Sequence, residues 1–302
     1  MPEGIALSVT ISGLARLFGD DLGAVVDVAR IADDLGVDQL VLPDHVAIGS
    51  RLDRYPYGAK FPYPAEEPWL EPLTALAAIA GATSRVRLGT GVLIAPLRPV
   101  LLLAKTVATL DVLSRGRLDL GIGTGWQREE FVERGMDFLG RTARMDDAVR
   151  ACRALWETEP PVSFVSPTIS FSEIWSEPRP VQSRVSIWYG GQLTEPMVAR
   201  ISELGDGWLP LGPTVSEIAT GIEVLRAAFV ARGRDPSSLG VRVGIPVVAD
   251  AAGRVDALAT MAVVPALAAI GVTGVSVALG RSLTTRADIE PYLAELVAAI
   301  RA

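Results

Sequence analysis

Residues 31–44, IADDLGVDQLVLPD, carry the pattern that decides the fold class. The stretch reads as the end of an amphipathic helix, then Gly36, and then a nearly continuous apolar strand. A glycine directly after a helix can take the left-handed conformation that satisfies the last carbonyl groups. An apolar strand of this kind is typical of a parallel sheet that helices cover on both faces. The stretch therefore predicts one helix-to-strand step of an α/β fold.

The same order of helix, glycine and strand recurs at three other places. They are LSRGRLDLGIG (113–123), ISELGDGWLPL (201–211) and LAAIGVTGVSVALG (267–280), with the glycines Gly116, Gly205 and Gly271. Strand candidates lie near residues 5–11, 39–44, 86–94, 118–123, 185–190, 207–211, 241–248 and 274–279. Helical patterns separate nearly all of them, for example over residues 71–82, 100–113, 142–156, 215–232 and 286–300.

Eight such units in 302 residues favour a closed (β/α)₈ barrel, the TIM-barrel fold, over an open doubly wound sheet. We expect a single domain over residues 1–302. Pro265 is expected to kink or split the seventh helical region, because proline disrupts a helix interior. Two segments exceed the bare repeat, namely a Pro/Tyr-rich loop after strand two (46–68) and a hairpin-like insertion (159–184). A loop as long as the first is either a lid or a solvated surface loop.

Composition excludes several classes of function. The net charge of −7 argues against nucleic acid as a partner. No stretch reaches the ~18 consecutive apolar residues of a membrane span, and the N-terminus lacks the pattern of a secretion signal. Cys152 is the only cysteine, which excludes an intrachain disulfide and fits a reducing compartment. We therefore expect a cytoplasmic protein that acts on a small molecule.

Several kinds of catalytic site are excluded as well. One histidine and one cysteine cannot form a clustered zinc site, so no metal is expected. The chain has no G-x-S-x-G elbow and no P-loop. In GIGTG (121–125) the glycines occupy every second position, which is not the Rossmann spacing.

Candidate site residues close four consecutive strands. They are Asp44 and His45 after strand two, Gly91 and Val92 in strand three, Thr124, Gly125 and Trp126 after strand four, and Tyr189, Gly190 and Gly191 in strand five. In a (β/α)₈ barrel the carboxyl ends of the strands form the active-site face. Glycines, a hydroxyl, an imidazole and aromatic rings on one rim suit a flat heteroaromatic cofactor better than a metal ion. Within GRLDLGIGTGW (116–126), the glycines are expected to let the backbone approach such a ring, with Thr124 supplying a hydrogen bond.

Each of these residues also has a simpler interpretation. A lone histidine is more often a packed or surface residue than a catalyst. The Gly190 turn is either a tight turn or a phosphate site at the start of the next helix, where Glu195 would repel an anion. In both cases Thr194 is the predicted helix cap and Pro196 lies in the first turn. Trp126 either covers the mouth of the barrel or stacks on a ring.

Four stretches together resemble the luciferase-like monooxygenase family, and specifically its coenzyme F420-dependent oxidoreductase branch. They are LGVDQLVLPDHV (35–46), the long block from SRVRLGTG to REEF (84–131), IWYGGQ (187–192) and LGDGWLP (204–210), in order and correctly spaced. The resemblance covers most of residues 4–235, whereas the C-terminal quarter matches by barrel pattern only.

The resemblance implies a (β/α)₈ barrel with an inserted segment and a deazaflavin or flavin lying across the rim. Relatives carry a non-prolyl cis peptide at the end of strand three, and the matching position is Gly91–Val92. The resemblance assigns the other cofactor-binding positions by strand: Asp44, with catalytic His45, on strand two, Thr124 and Gly125 on strand four, and Gly190, Gly191 and Gln192 in the phosphate loop of strand five. Relatives of this kind are often dimers, so a homodimer is expected by analogy.

One position departs from the family pattern. The sugar-phosphate-oxidising branch has GTGE at strand four, with a catalytic glutamate where this chain has Trp126. A sugar-phosphate dehydrogenase is therefore not expected. Aromatic residues of the long loop point instead to a hydrophobic substrate: Tyr55, Tyr57, Phe61, Tyr63 and Trp69.

Three functional hypotheses follow. The first is an F420-dependent oxidoreductase that transfers a hydride to an activated C=C, C=N or carbonyl carbon, with His45 supplying or orienting a proton. The second is an FMN-dependent monooxygenase on the same fold, and the third is an F420- or flavin-binding protein without turnover. The chain lacks asparagine and has only Lys60 and Lys105 as lysines, a usage typical of GC-rich genomes in which F420 is common. This association favours the first hypothesis.

Overall fold

A computed structural model describes residues 4–58, 60–281, 283 and 285–302. Eight parallel strands form the barrel: β1 (Ala6–Thr10), β2 (Gln39–Leu42), β3 (Arg87–Thr90), β4 (Leu118–Gly123), β5 (Ser186–Gly191), β6 (Gly207–Pro210), β7 (Gly240–Gly244) and β8 (Gly274–Ala278). They neighbour one another in the order β3-β2-β1-β8-β7-β6-β5-β4. The ring closes where Leu88 and Gly89 of β3 pair with Leu118 and Asp119 of β4. The predicted (β/α)₈ barrel is confirmed, and the single-domain organisation stays a prediction.

Helices connect the strands and cover the outside of the barrel. They are α1 (Leu14–Phe18), α2 (Val25–Leu35), α3 (Pro72–Ala82), α4 (Val100–Ser114), α5 (Arg128–Val132), α6 (Arg141–Glu157), α7 (Glu195–Leu204), α8 (Val215–Ala231), α9 (Ala257–Met261), α10 (Val264–Ala269) and α11 (Ile289–Arg301). Pro265 lies in the first turn of α10, so the predicted split of this helical region is confirmed. Within the described part of the chain, no helix has the length and apolarity needed to cross a membrane.

Two strands differ most from the lengths that the sequence pattern predicts. The third was expected over residues 86–94, but it stops at Thr90 and resumes as the two-residue strand Leu93–Ile94. Between these pieces the Gly91–Val92 peptide bond is cis, at the position implied by the family resemblance. The seventh was expected over residues 241–248, but it ends at Gly244, and Val248–Ala249 pairs with Val255–Asp256 in a separate hairpin.

The two predicted insertions lie outside the barrel repeat. The segment at 159–184 contains an antiparallel hairpin of Val162–Val165 and Ser170–Ile174, as expected. The loop at 46–68 contains one helical turn, Leu52–Arg54, and brings aromatic side chains to the barrel mouth. This loop is therefore more than a solvated connection.

The glycines at helix ends divide into two kinds. Gly36, Gly116 and Gly271 have φ values of 82°, 79° and 91°, which confirms the expected left-handed conformation. Gly205 does not follow this pattern, because it leaves α7 extended with φ at −95°. A Cβ on Gly205 would lie 2.9 Å from Cδ2 of the Tyr189 ring. Glycine is required there for close packing rather than for a left-handed turn.

A polar layer crosses the barrel near the amino ends of the strands. Asp119 accepts two hydrogen bonds from Arg87, of 2.7 and 2.6 Å, and a third from Gln39 at 2.6 Å. Arg242, buried against the Trp188 ring, donates to the same Gln39 side chain. Because these partners bind one another, they close the amino end of the barrel and leave the carboxyl end for a site.

Candidate active site

The carboxyl ends of the barrel strands enclose a cleft of about 270 Å³. His45, Thr124 and Gly190, from three different strand ends, all face it. Other lining residues come from β1, β3, β6 and β8 and from the long loop, and include Thr10, Ser12, Ile94, Leu211 and Ala278. The residues predicted from separate stretches of sequence therefore meet in one site.

Most of the predicted cofactor-binding residues line this cleft. They are Asp44, Gly91, Val92, Thr124, Gly125 and Gly190. Gln192 lines a neighbouring pocket of about 710 Å³ instead, between the first turns of α7 and α8. The Gly191 carbonyl accepts a 2.9 Å hydrogen bond from Nε1 of Trp208, and this bond joins β5 to β6. Of the predicted strand-five loop, Gly190 alone reaches the cleft.

The glycines of β4 and β5 make room for the interrupted third strand. A Cβ on Gly123 would lie 2.6 Å from Cγ2 of Val92, and a Cβ on Gly190 would lie 2.7 Å from its Cγ1. A Cβ on Gly121 would overlap the carbonyl of Thr90. The expected direct approach of the backbone to a ring is wrong for Gly121, which does not line the cleft, whereas Gly123 lines the cleft and the expectation for it stays a prediction. Both glycines also pack against the third strand. They seat Val92 and its neighbours, which then form one wall of the cleft.

Asp44 holds this wall in place. Its Oδ2 accepts hydrogen bonds from the Ile94 N–H at 2.8 Å and from Nη1 of Arg98 at 2.6 Å, and its Oδ1 accepts from Nη2 of Arg98 at 3.0 Å. Burial by itself would lower the pKa of Arg98, but hydrogen bonds and charges from Asp44 and Glu71 outweigh burial and raise that pKa. Both oxygens of the Asp44 carboxylate thus bind the segment that follows β3.

His45 is oriented by a residue that sequence reasoning missed. Its Nδ1 lies 3.3 Å from Oε2 of Glu130, whose side chain is completely buried. Oε1 of Glu130 accepts hydrogen bonds from the backbone N–H groups of Val46 at 2.8 Å and Ala47 at 3.3 Å. Glu130 lies in the first turn of α5, directly after the glycine turn of β4. The only sequence signal was a glutamate pair in REEF.

An aromatic cluster covers the cleft from the side of the long loop. Its members are Tyr55, Tyr57, Phe61, Tyr63, Trp69 and Trp126, all of which line the cleft. Phe61, only 5% exposed, lies at the centre of this cluster. Its ring centroid is 5.2 Å from that of Trp126 and 5.6 Å from that of His45. The cluster excludes water from the imidazole and makes this side of the cleft apolar.

Three members of the aromatic cluster have distinct surroundings. Trp126 packs against Phe61 and Tyr55, with centroids 5.2 and 5.3 Å apart, which favours its role as a cover of the barrel mouth. Nε1 of Trp69 is buried without a hydrogen-bond partner, although the Trp69 ring lies 4.9 Å from that of His45. Burial also raises the pKa of Tyr57, so its hydroxyl stays protonated at neutral pH. Trp69 and Tyr57 thus supply neutral hydrogen-bond donors on this side of the cleft.

The pocket beside α7 is chemically different. Glu195 and Glu217 both line it, and among its described lining residues there is no lysine or arginine. Hydrogen bonds from Thr214 lower the pKa of Glu217, so this carboxylate is charged at neutral pH. Pro196 lies in the first turn of α7 as predicted, and Thr194 occupies the cap position without a side-chain cap bond. Glu217 as well as Glu195 therefore borders this helix start, and the phosphate site predicted there stays a prediction.

The described residues thus form a closed (β/α)₈ barrel with an apolar cleft at the carboxyl ends of its strands. The family model of luciferase-like monooxygenases matches residues 1–298. The chain therefore belongs to the luciferase-like monooxygenase family, a family of oxidoreductases. An uncharacterized protein of Mycobacterium tuberculosis is 32% identical over 223 residues, which cover 72% of this chain and 78% of that protein.

Solved structures share the whole fold at low sequence identity. A monooxygenase from Streptomyces bottropensis superimposes with a TM-score of 0.78 at 19% identity and covers 98% of this chain and 99% of its own. An F420-dependent secondary alcohol dehydrogenase in complex with an F420–acetone adduct has a TM-score of 0.78 at 15% identity and covers 99% of this chain and 100% of its own. These likenesses establish the common barrel.

Proposed function

We propose that this protein is an oxidoreductase that transfers a hydride between coenzyme F420 and a small hydrophobic organic substrate. The observation that carries the proposal is the single cleft in which the only histidine faces the Val92 wall beneath the aromatic cluster. The whole-chain likeness to an F420-dependent alcohol dehydrogenase supports the choice of cofactor.

The residues of the cleft fit a flat, tricyclic ring. Gly91 and Val92 give one wall without long side chains, and Gly125 and Gly190 line the cleft with backbone only. The Thr124 hydroxyl and the unpartnered Trp69 indole N–H offer hydrogen bonds to polar atoms of a bound ring or substrate. At about 270 Å³ the cleft is slightly smaller than the ~300 Å³ lower bound of typical ligand pockets. We therefore expect the long loop at 46–68 to move outward when ligands bind, as a lid does.

When bound, F420 supplies a hydride at its C5 position. The chain itself supplies orientation, exclusion of water and a proton. His45 carries the one imidazole of the cleft, the side-chain type most often used for proton transfer, and its Nε2 makes no hydrogen bond to Glu130. Nε2 would donate a proton to an oxygen or nitrogen that gains negative charge, or accept one in the reverse direction.

Substitution of His45 tests this proposal. His45→Ala should lower F420-dependent turnover by a factor on the order of 10² or more, with F420 affinity largely unchanged. Tyr57→Phe is the matched control, because it alters a polar group of the same cleft without removing an aromatic ring. Unchanged turnover in His45→Ala would remove His45 from the mechanism.

An FMN-dependent monooxygenase is the alternative on the same cleft. The likeness to a Streptomyces monooxygenase supports it, and the same walls would hold an isoalloxazine ring. A second alternative is an F420- or flavin-binding protein without turnover. The buried contact of His45 with Glu130 favours catalysis over simple binding, because orienting an imidazole serves proton transfer. Tight cofactor binding without any cofactor-dependent reaction across a broad substrate panel would support the non-catalytic alternative.

We further propose that the protein acts in the cytoplasm as a homodimer. A single, buried cysteine suits a reducing compartment. The outward face of α4 carries Leu101, Leu102 and Leu113 with 42%, 61% and 55% of their surface exposed, which is unusual for a lone helix face. Sedimentation analysis should give twice the chain mass, and Leu102→Glu should shift the protein toward monomer.

A further inference from the structure

The surroundings of Glu130 bear on how the cleft handles protons. Its two carboxylate oxygens have different partners: Oε1 receives the N–H groups of Val46 and Ala47, and Oε2 faces Nδ1 of His45. No other hydrogen bond joins the imidazole to a described residue. The rings of Phe61, Trp69 and Trp126 lie near the imidazole, with centroid distances of 5.6, 4.9 and 6.0 Å.

We propose that Glu130 is a positioning residue that fixes His45 in the tautomer with its proton on Nδ1. In the proposed arrangement Oε2 of Glu130 accepts from Nδ1 and Oε1 accepts from the two backbone N–H groups, since carboxylate oxygens without a proton only accept hydrogen bonds. In the neutral imidazole the lone pair then belongs to Nε2. The use of Nε2 for catalysis rests on the proposed function, whereas the tautomer is a property of the protein without cofactor.

Glu130 brings a carboxylate to the imidazole although the position after Gly125 carries none. Trp126 occupies that place, and it covers the imidazole at a centroid distance of 6.0 Å. Glu130 instead approaches the imidazole from the protein interior, where its side chain is completely buried. The carboxylate therefore contacts the ring at Nδ1 and leaves Nε2 without a hydrogen-bond partner among the described residues.

The isosteric variant Glu130→Gln should invert the tautomer. The amide oxygen of glutamine must accept the hydrogen bonds from the N–H groups of Val46 and Ala47, because an amide nitrogen cannot accept a hydrogen bond. Its NH₂ group then faces Nδ1 and donates to it, so the ring proton moves to Nε2. Glu133→Gln is the matched control, since it removes the same charge at an exposed position directly after α5.

Nitrogen NMR of the imidazole provides the test, because the chain has one histidine and hence one pair of ring signals. The ¹⁵N-labelled protein without cofactor should show a protonated Nδ1 and an unprotonated Nε2 in the neutral form. Glu130→Gln should show the reverse, and Glu133→Gln should match the original protein. F420-dependent kcat of Glu130→Gln should fall by a factor on the order of 10², with less change in KM.

Two results would overturn the proposal. One is a proton on Nε2 in the unmodified protein, which decides the matter even if Glu130→Gln does not fold. The other is an unchanged tautomer in a folded Glu130→Gln. The expected spectra together with no F420-dependent turnover would instead contradict the proposed function and leave the positioning role intact.

Discussion

The close packing of Val92 against Gly123 and Gly190 yields a quantitative prediction. A Cβ on Gly190 would lie 2.7 Å from Cγ1 of Val92, about 1 Å inside the ~3.5–4.0 Å optimum for carbon–carbon contacts. The next atom of Val92, its Cβ, would lie at 3.8 Å, an ordinary contact. Gly190 does not have a positive φ, so its backbone accepts alanine. The cost of Gly190→Ala therefore comes from Val92 alone.

Overpacking of this kind costs about 1–3 kcal/mol, so Gly190→Ala should lower the free energy of unfolding by that amount. Val92→Ala removes two methyl groups and should cost about 1–2 kcal/mol by itself. In the double variant Cγ1 is absent, so Gly190→Ala should add little further cost. The expected coupling energy is thus about 1–3 kcal/mol in favour of the double variant.

Urea unfolding of the four proteins in this cycle measures the coupling energy. Gly81→Ala in α3 is the control, because nothing lies within 4 Å of the added Cβ. Since Gly81 is helical, alanine there should stabilise the protein by up to about 1 kcal/mol. An equal cost of Gly190→Ala in the presence and in the absence of the Val92 methyl groups would exclude Val92 as the source of that cost.

The remaining predictions concern stability and the cleft. The pKa of Asp206 is raised by burial but lowered more by Arg153, Arg184 and other partners, and the net direction is down. Its contribution to stability is therefore complete above the unfolded pKa of ~3.9 and is lost as pH falls through the lower folded value. Asp206→Asn should cost about 3 kcal/mol near neutral pH, and its gap to the original protein in urea unfolding should narrow in acid. Phe61→Ala should enlarge the cleft and raise kcat/KM for bulkier substrates relative to small ones, and an unchanged preference in competition assays would exclude Phe61 from substrate selection.

The fold could be predicted because its signals are local. The helix, glycine and strand pattern around Gly36 repeats along the chain, and each copy lies within about fourteen residues, as in residues 31–44. Strand ends of a barrel meet by topology, so His45, Thr124 and Gly190 could be placed on one rim without knowledge of side-chain contacts. The cis peptide at Gly91–Val92 was placed by resemblance to a family rather than by physical reasoning.

The parts of the site that the sequence did not predict depend on long-range contacts. Glu130 is 85 residues from His45 in the chain, and nothing near either residue indicates the other. The role of Gly205 was misassigned because a helix-ending glycine was expected to be left-handed, whereas the Tyr189 ring requires its small size. Gln192 was assigned with Gly190, but β5 ends between them and the chain turns toward a separate pocket.

Side-by-side equilibrium titration of the purified protein with F420 and with FMN tests whether this cleft binds a deazaflavin. We predict saturable F420 binding in the micromolar range, weakened in Gly190→Ala because the added methyl displaces the Val92 wall. Micromolar FMN binding without F420 binding would contradict the choice of cofactor. Binding of neither molecule would contradict the assignment of this cleft as a cofactor site.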